Sequence, residues 1–380
     1  MTHEPQHRHT ELDGLRGLLA LWVVIAHSIR WSGYGEIGMD GFAGKAWHEF
    51  TTASAAAETF IILSGFAMAA LLQRSGAGYA RFVTGRFFRL YPVYVICMTL
   101  AVMVTPWLAE YVKAVPWNLE PHVVWMADAV RHVQENGGSH AAWHSVMLHG
   151  LPPQQMLEYA ASAFHPPAWT ITVEWQFYLL VPLLLWLARR CWGMALLVMA
   201  AAFGRLIQDA WWNPDQGLVL YWLPMLFVGI GSCHWVPKVP VWHETISKNH
   251  IATGLTCLGG VLFLRDQVLP LVIWMVAFCI TTKAWEECLP RVSRLAAAGL
   301  NSRPAQWLGR ISYSLYLLHW PLLIAAVCGS LRVWPDITRL RMLLIVSCAA
   351  FPIILLLSHL LHMLVERPMM RWGRRLSGRS

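Results

Sequence analysis

Gly14-Leu-Arg-Gly-Leu-Leu-Ala-Leu-Trp-Val-Val-Ile-Ala-His-Ser-Ile-Arg-Trp31 is apolar along almost its whole length. A helix that crosses a bilayer needs about 20 largely apolar residues, and nine further segments approach the same length. The ten are 14–31, 56–73, 88–106, 169–187, 192–210, 217–236, 250–265, 268–284, 311–329 and 341–363. Composition points the same way. Of 380 residues, 57% are hydrophobic and 13% charged, with a mean hydropathy of +0.45; the charged share is about half that of soluble domains. Such a chain cannot cover itself with polar surface, which excludes a soluble enzyme, a disordered tail and a collagen-like fibre. The predicted fold class is all-α, a polytopic integral membrane bundle of about ten transmembrane helices.

An even number of spans puts both termini on one side, and basic residues decide which. Of the 29 Lys and Arg, twenty fall on the side of the termini and eight on the other, so both termini are predicted to be cytoplasmic. The net charge of +8 is thereby accounted for by orientation, without nucleic acid. The first sixteen residues mix acids and bases and no small-residue cleavage site follows, so the first span is expected to be retained. The eight cysteines form no CxxC pair, which suggests neither a disulfide framework nor a zinc site. Residues 107–168 are too polar to span and hold five acids against two bases; they are expected to form a structured extracytoplasmic loop, with a surface helix begun by Pro121 and running to Val133. With no internal repeat and no second soluble domain apparent, residues 1–380 are read as one membrane domain.

Ionisable residues within apolar spans are costly, about 2.5–3.5 kcal/mol each on insertion scales, and are therefore functional candidates. Arg16 and His27 are eleven residues apart and share one helix face, separated by roughly 16 Å along the axis. Asp13 is placed to pair with Arg16. The alternative is interfacial snorkelling of Arg16 with His27 in the opposite interface. Glu174 lies five residues into the fourth span, with Tyr178 one turn further on the same face. Ser312, Tyr316 and His319 share a face of another span, where a structural interhelical hydrogen bond is the competing reading. Ser64 is mid-span, where small residues also serve close packing, and Glu58 opens that span. In the inner loop 74–89, Arg86 and Arg89 are i, i+3 neighbours; they anchor the cytoplasmic side, or grip phosphates in fork geometry. His140, His144 and His149 have loose metal-like spacing but no carboxylate or cysteine in register, so no metal is expected.

These segments together resemble the membrane-bound acyltransferase family 3. The matching stretches are Leu12-Asp-Gly-Leu-Arg-Gly-Leu18 through His27, Phe60-Ile-Ile-Leu-Ser-Gly-Phe66 and Arg86-Phe-Phe-Arg-Leu-Tyr-Pro92. Trp169-Thr-Ile-Thr-Val-Glu-Trp-Gln-Phe-Tyr-Leu179, Ser312-Tyr-Ser-Leu-Tyr-Leu-Leu-His-Trp-Pro321 and Val365-Glu-Arg-Pro368 follow in order. The resemblance implies ten core helices, a cytosolic acyl-CoA donor and an acceptor hydroxyl on the outer side, usually of a sugar. The family's arginine and histidine map onto Arg16 and His27, its RxxR pair onto Arg86 and Arg89, and its membrane glutamate onto Glu174. Glu58 stands where many members have aspartate, and Trp175 where a second acid is common. The esterase-like C-terminal domain of some members has no counterpart here.

On that footing the expected activity is O-acyl transfer, most simply of acetyl, from acetyl-CoA as co-substrate with no bound cofactor. The acceptor would be an extracytoplasmic glycan, such as an exopolysaccharide or a lipid-linked saccharide, and the location the bacterial cytoplasmic (inner) membrane. Acyl transfer to a hydroxyl needs a base and an oxyanion partner. His27 is expected to be the base, oriented by Glu174 and aided by Arg16 and Asp13. Arg86, Arg89 and Tyr91 are expected at the donor, with Ser64, Tyr178, Tyr316, His319 and Glu58 in support. A covalent acyl-histidine is a variant of this route. The alternatives are a small secondary metabolite or a lipid as acceptor, or a lipid or sugar transporter, although no inverted repeat is visible.

Overall fold

The structure is a computed structural model that describes residues 9–36, 41–74, 78–188, 217–235, 267–286 and 288–377. Among these residues all regular structure is helical. In chain order the helices are α1 (Thr10–Ile29), α2 (Gly41–Thr52), α3 (Ser54–Arg74), α4 (Tyr79–Ala114), α5 (Pro121–Ser145) and α6 (Trp169–Ala188). They are followed by α7 (Val219–Trp235), α8 (Val268–Thr281), α9 (Pro290–Leu300), α10 (Arg303–Val333) and α11 (Arg339–Leu376). Five stretches among the described residues are long and apolar enough to cross a membrane: Thr10–Tyr34, Ser54–Leu71, Tyr79–Ala114, Arg303–Val333 and Arg339–Leu376. The expected spans 169–187, 217–236 and 268–284 coincide with the apolar helices α6, α7 and α8. Those at 192–210 and 250–265 lie outside the described residues.

Two boundaries differ from the sequence reading for physical reasons. The segment 74–89 is not a loop throughout: from Tyr79 onward it is the start of α4, so Arg81, Arg86 and Arg89 are helical. At 36 residues and 1.5 Å per residue, α4 is about 54 Å long, well over the ~30 Å hydrocarbon core. Hydropathy detects only its apolar middle. Helix α5 starts at Pro121 as expected but continues to Ser145, passing a kink at Asn136 (φ −123°, ψ 21°). The following Gly137-Gly138 pair is a poor helix former, and pattern alone therefore ends the helix too early.

Contacts divide the chain into two compact units. The first comprises Met1–Trp22, Ser54–Ser75 and Met225–Ser312. Backbones there approach closely at glycines, as in lipid-embedded helices whose small residues permit contact. A Cβ on Gly14 would fall 2.0 Å from the Leu300 carbonyl oxygen, and one on Gly309 would fall 2.1 Å from that of Asp13. Helices α3 and α7 cross in the same way: Gly65 abuts the Leu226 carbonyl and Gly229 abuts that of Ile62. Trp274 of α8 packs on Phe66 with ring centroids 5.6 Å apart and donates its indole N–H to Ser232 at 2.9 Å.

The second unit comprises Val23–Ala53, Gly76–Pro224 and Tyr313–Ser380. Its core is built on α4, against which α5, α6 and the end of α11 pack. Residues 115–168 belong to this unit and are folded rather than draped. Val115, Trp117, Leu157, Ala160, Ala161 and Ala163 are all buried. Four histidines of this region, at 140, 144, 149 and 165, are buried with them.

Candidate active site

The second half of α1 carries His27, which is partly exposed on a mostly apolar helix. Its Nδ1 lies 3.0 Å from Nε2 of His319 on α10. His319 is wholly buried, and its Nδ1 lies 3.2 Å from the carbonyl of Leu315 one turn back. A carbonyl only accepts, so His319 donates from Nδ1 and its Nε2 carries a lone pair. That lone pair accepts from Nδ1–H of His27, and the Thr52 backbone also lies within reach of the His27 ring. The buried imidazole thus fixes the tautomer and tilt of the exposed one. The edge of Trp320 packs on His27 at 6.0 Å and on Trp31 at 5.4 Å.

The same turn of α10 is tied to the end of the long loop. Tyr316 donates to the Pro167 carbonyl at 3.0 Å, Thr170 donates to Tyr316 at 3.2 Å, and His165 Nε2 donates to the Leu317 carbonyl at 2.8 Å. One turn of α10 therefore holds both the imidazole pair and the loop.

A second cluster gathers Arg86 and Arg89 of α4 with Glu174 and Tyr178 of α6. Tyr178 donates to Glu174, and the Arg86 guanidinium lies over the Tyr178 ring, 5.6 Å from its centroid. Arg89 lies near the carboxylates of Glu366 and Glu174 and the hydroxyls of Tyr178 and Tyr313. Glu366 is itself buried, accepting from Ser314 at 2.7 Å and meeting His362 at 3.0 Å. Arg86 Nε is buried and closes no hydrogen bond within the protein.

The sequence-derived candidates are distributed as follows. His27 and His319 form one pair; Arg86, Arg89, Glu174 and Tyr178 form another group. Glu174 is thus engaged with Tyr178 and the arginines, and the group that orients His27 is His319. Tyr91 donates to the Ser145 carbonyl at 2.9 Å and stacks on Phe87 at 4.6 Å, which joins α4 to α5. Asp13 and Arg16 of α1, with Glu58 and Ser64 of α3, belong to the first unit. Glu366, in the Val365-Glu-Arg-Pro368 stretch, joins this group without having been expected there; its signal in the sequence is an acid inside an apolar run, as for Glu174.

The loop histidines pair with one another. His144 and His149 stack at 3.9 Å, and Tyr94 reaches His144 Nδ1 at 3.0 Å. His132 Nδ1 lies 3.1 Å from His140 Nε2. Among the described residues no three of His, Cys, Asp or Glu converge as metal ligands. Burial holds His149 down to about 3 and His140 and His165 to about 4, with His132 adding to the effect at His140. Burial, and then the neighbouring His149, lower His144 as well. These rings are neutral near pH 7.

Comparison with known proteins supplies the context. A family model described as an acyltransferase domain matches residues 9–363. The membrane-bound transacylase BcsY of Komagataeibacter xylinus is 27% identical over 85% of this chain and 75% of its own length. Acyltransferase MdmB of Streptomyces mycarofaciens is 25% identical over 97% and 93% respectively. YrhL of Bacillus subtilis, named for peptidoglycan O-acetyl transfer, is 22% identical over 99% of this chain but 57% of its own. No solved structure matches.

Proposed function

This chain belongs to the membrane acyltransferase family 3, and from that premise we propose that it moves an acyl group, most simply acetyl, from acyl-CoA to a hydroxyl of an extracytoplasmic glycan. The observation that carries the reading is the hydrogen-bonded pair His27–His319, in which a buried imidazole anchored to the Leu315 carbonyl holds the ring of its neighbour through Nδ1. A base whose tautomer is fixed by a second hydrogen bond is the arrangement that hydroxyl activation requires.

In the proposed step, the acceptor oxygen attacks the thioester carbonyl carbon as its proton passes to His27 Nε2. The tetrahedral oxyanion then collapses, the C–S bond breaks, and the proton returns from His27 to the departing thiolate. The products are an ester and free coenzyme A, with no net proton change. Arg86 and Arg89 are proposed to hold the donor's phosphates. In support, Arg86 keeps a buried Nε–H without a partner, a donor that a phosphate oxygen would satisfy. Glu174 and Tyr178 set the arginines' geometry, whereas Arg16 and Asp13 enter the proposal through the family motif alone.

The ten-span arrangement, with cytoplasmic termini, residues 107–168 outside and the bacterial inner membrane as location, is part of the same proposal. It rests on the distribution of Lys and Arg. The name of YrhL, for peptidoglycan O-acetylation, supports a glycan acceptor. Incubating membranes that contain the chain with radiolabelled acetyl-CoA tests the reading. Alkali-labile label in a glycan fraction is expected; an untouched thioester pool overturns it.

A further inference from the structure

Arg30 and Trp31 lie three and four residues beyond His27, in the π-helical turn Arg30–Tyr34 that follows α1. Facing them, the start of α5 brings in Glu120 just before the helix and His122 in its first turn, each only 8% exposed. The Trp31 ring meets His122 edge-on at 5.4 Å and Trp320 at 5.4 Å, and Trp320 in turn meets His27. The cluster therefore adjoins the proposed base.

Its polar atoms are unusually unsatisfied. Arg30 Nη1, His122 Nε2 and Trp320 Nε1 are buried and close no hydrogen bond within the protein, while Glu120 meets Arg339 at 3.0 Å and His122 Nδ1 at 3.5 Å. The backbones of Arg30 and Glu36 lie near the ring and the carboxylate without completing one. Native proteins pair more than 90% of buried backbone groups and the large majority of buried side-chain polar atoms, so three orphans in one cluster point to a ligand there. The charges balance: Arg30 faces Glu36 at 3.7 Å and Arg339 faces Glu120 at 3.0 Å. Burial first, and Arg30 next, push His122 down to about 3, so its ring is neutral. What remains is a mixed set of donors and acceptors without net charge, flanked by tryptophan. Phosphate or carboxylate would need excess positive charge; vicinal hydroxyls, each both donor and acceptor, fit. Gly35 lies directly against the cluster: a Cβ there would sit 2.8 Å from Arg30 Cγ and 3.2 Å from His122 Cε1, so a side chain at this position would displace both.

We propose that Arg30, Glu120 and His122 form the acceptor subsite, binding the vicinal diol of a sugar-like polyol beside His27. The inference rests on the acyl-transfer reading and names the acceptor's chemical class from this chain's own residues.

The test uses the purified full chain in nanodiscs with radiolabelled acetyl-CoA and two acceptors, methyl β-glucopyranoside and 1-propanol. The readout is the ratio of their kcat/KM values, which is independent of how much of each preparation is folded. The wild type is expected to favour the glucoside. Glu120→Gln, His122→Asn and Gly35→Ala should each lower the ratio by roughly tenfold or more, because unpaired polar groups discriminate strongly. The glycine variant shifts Arg30 and His122 without removing a charged or polar group, and the acceptor ratio, unlike total activity, does not move with a merely structural loss of folded protein. If the wild type shows no preference, or the variants keep the wild-type ratio, the inference fails while the acyl-transfer reading stands. A wild type that consumes no acetyl-CoA overturns that reading and the inference with it.

Discussion

Acidification from pH 7 to pH 5 should destabilise the folded loop of the second unit, and the size of the effect can be worked out from its histidines. His122 and His149 are held near 3 and His140 and His165 near 4 by burial, against about 6.5 in an unfolded chain. Because the folded values are depressed, the unfolded state binds more protons. Stability is therefore full above about pH 6.5 and is lost as pH falls toward 3–4. At pH 5 each ring lies about 1.5 pH units below the unfolded value, so each costs about 2 kcal/mol. At that pH it makes no difference whether the folded value is 3 or 4. Four rings together set an upper bound of about 8 kcal/mol, comparable with a domain's whole stability. Glu120 acts in the opposite sense, since burial raises it despite Arg339 and Arg30, but it is one group against four. Thermal scans of intrinsic tryptophan fluorescence at pH 7 and pH 5 should show the midpoint falling by roughly 10 °C or more. The double variant His140→Gln with His149→Gln should show about half that shift. A midpoint that is flat, or higher at pH 5, would refute the reasoning.

Two further outcomes follow from named contacts. Replacing His319 by Ala removes the acceptor that fixes the His27 tautomer, and kcat for transfer should fall by roughly 10²–10³ while KM for acetyl-CoA holds; His319→Gln keeps an acceptor oxygen and should recover part of the loss, and equal rates in the two variants would contradict the orienting role. Gly65→Val would drive a side chain into the Leu226 carbonyl, so overpacking of about 1–3 kcal/mol should lower the melting midpoint, and an unchanged midpoint would remove the close α3–α7 crossing from the account.

Much of this fold is legible in the sequence, because burial in lipid forces long apolar runs. The helices at 10–29, 54–74, 79–114, 303–333 and 339–376 all announce themselves in this way. Their polar extensions do not, and so the first turns of α4 read as a loop. The candidate residues were also visible one by one, as ionisable groups in apolar surroundings. Their pairing was not. His27 and His319 are 292 residues apart in the chain, and no local pattern says which buried polar group meets which. Proximity in depth suggested Glu174 for His27, whereas α6 turns that carboxylate toward Tyr178 and the α4 arginines. The subsite around Arg30 was equally hidden, because the helix expected from Pro121 gives no sign of what Glu120 and His122 at its start face.

The central claim is that His27 is the base for acyl transfer. The most direct measurement is the single-turnover rate of acetyl transfer from saturating acetyl-CoA by membranes carrying His27→Ala, matched to wild type for inserted protein. The account predicts a rate lower by roughly 10²–10⁴ with the protein inserted normally. Transfer at the wild-type rate would contradict it.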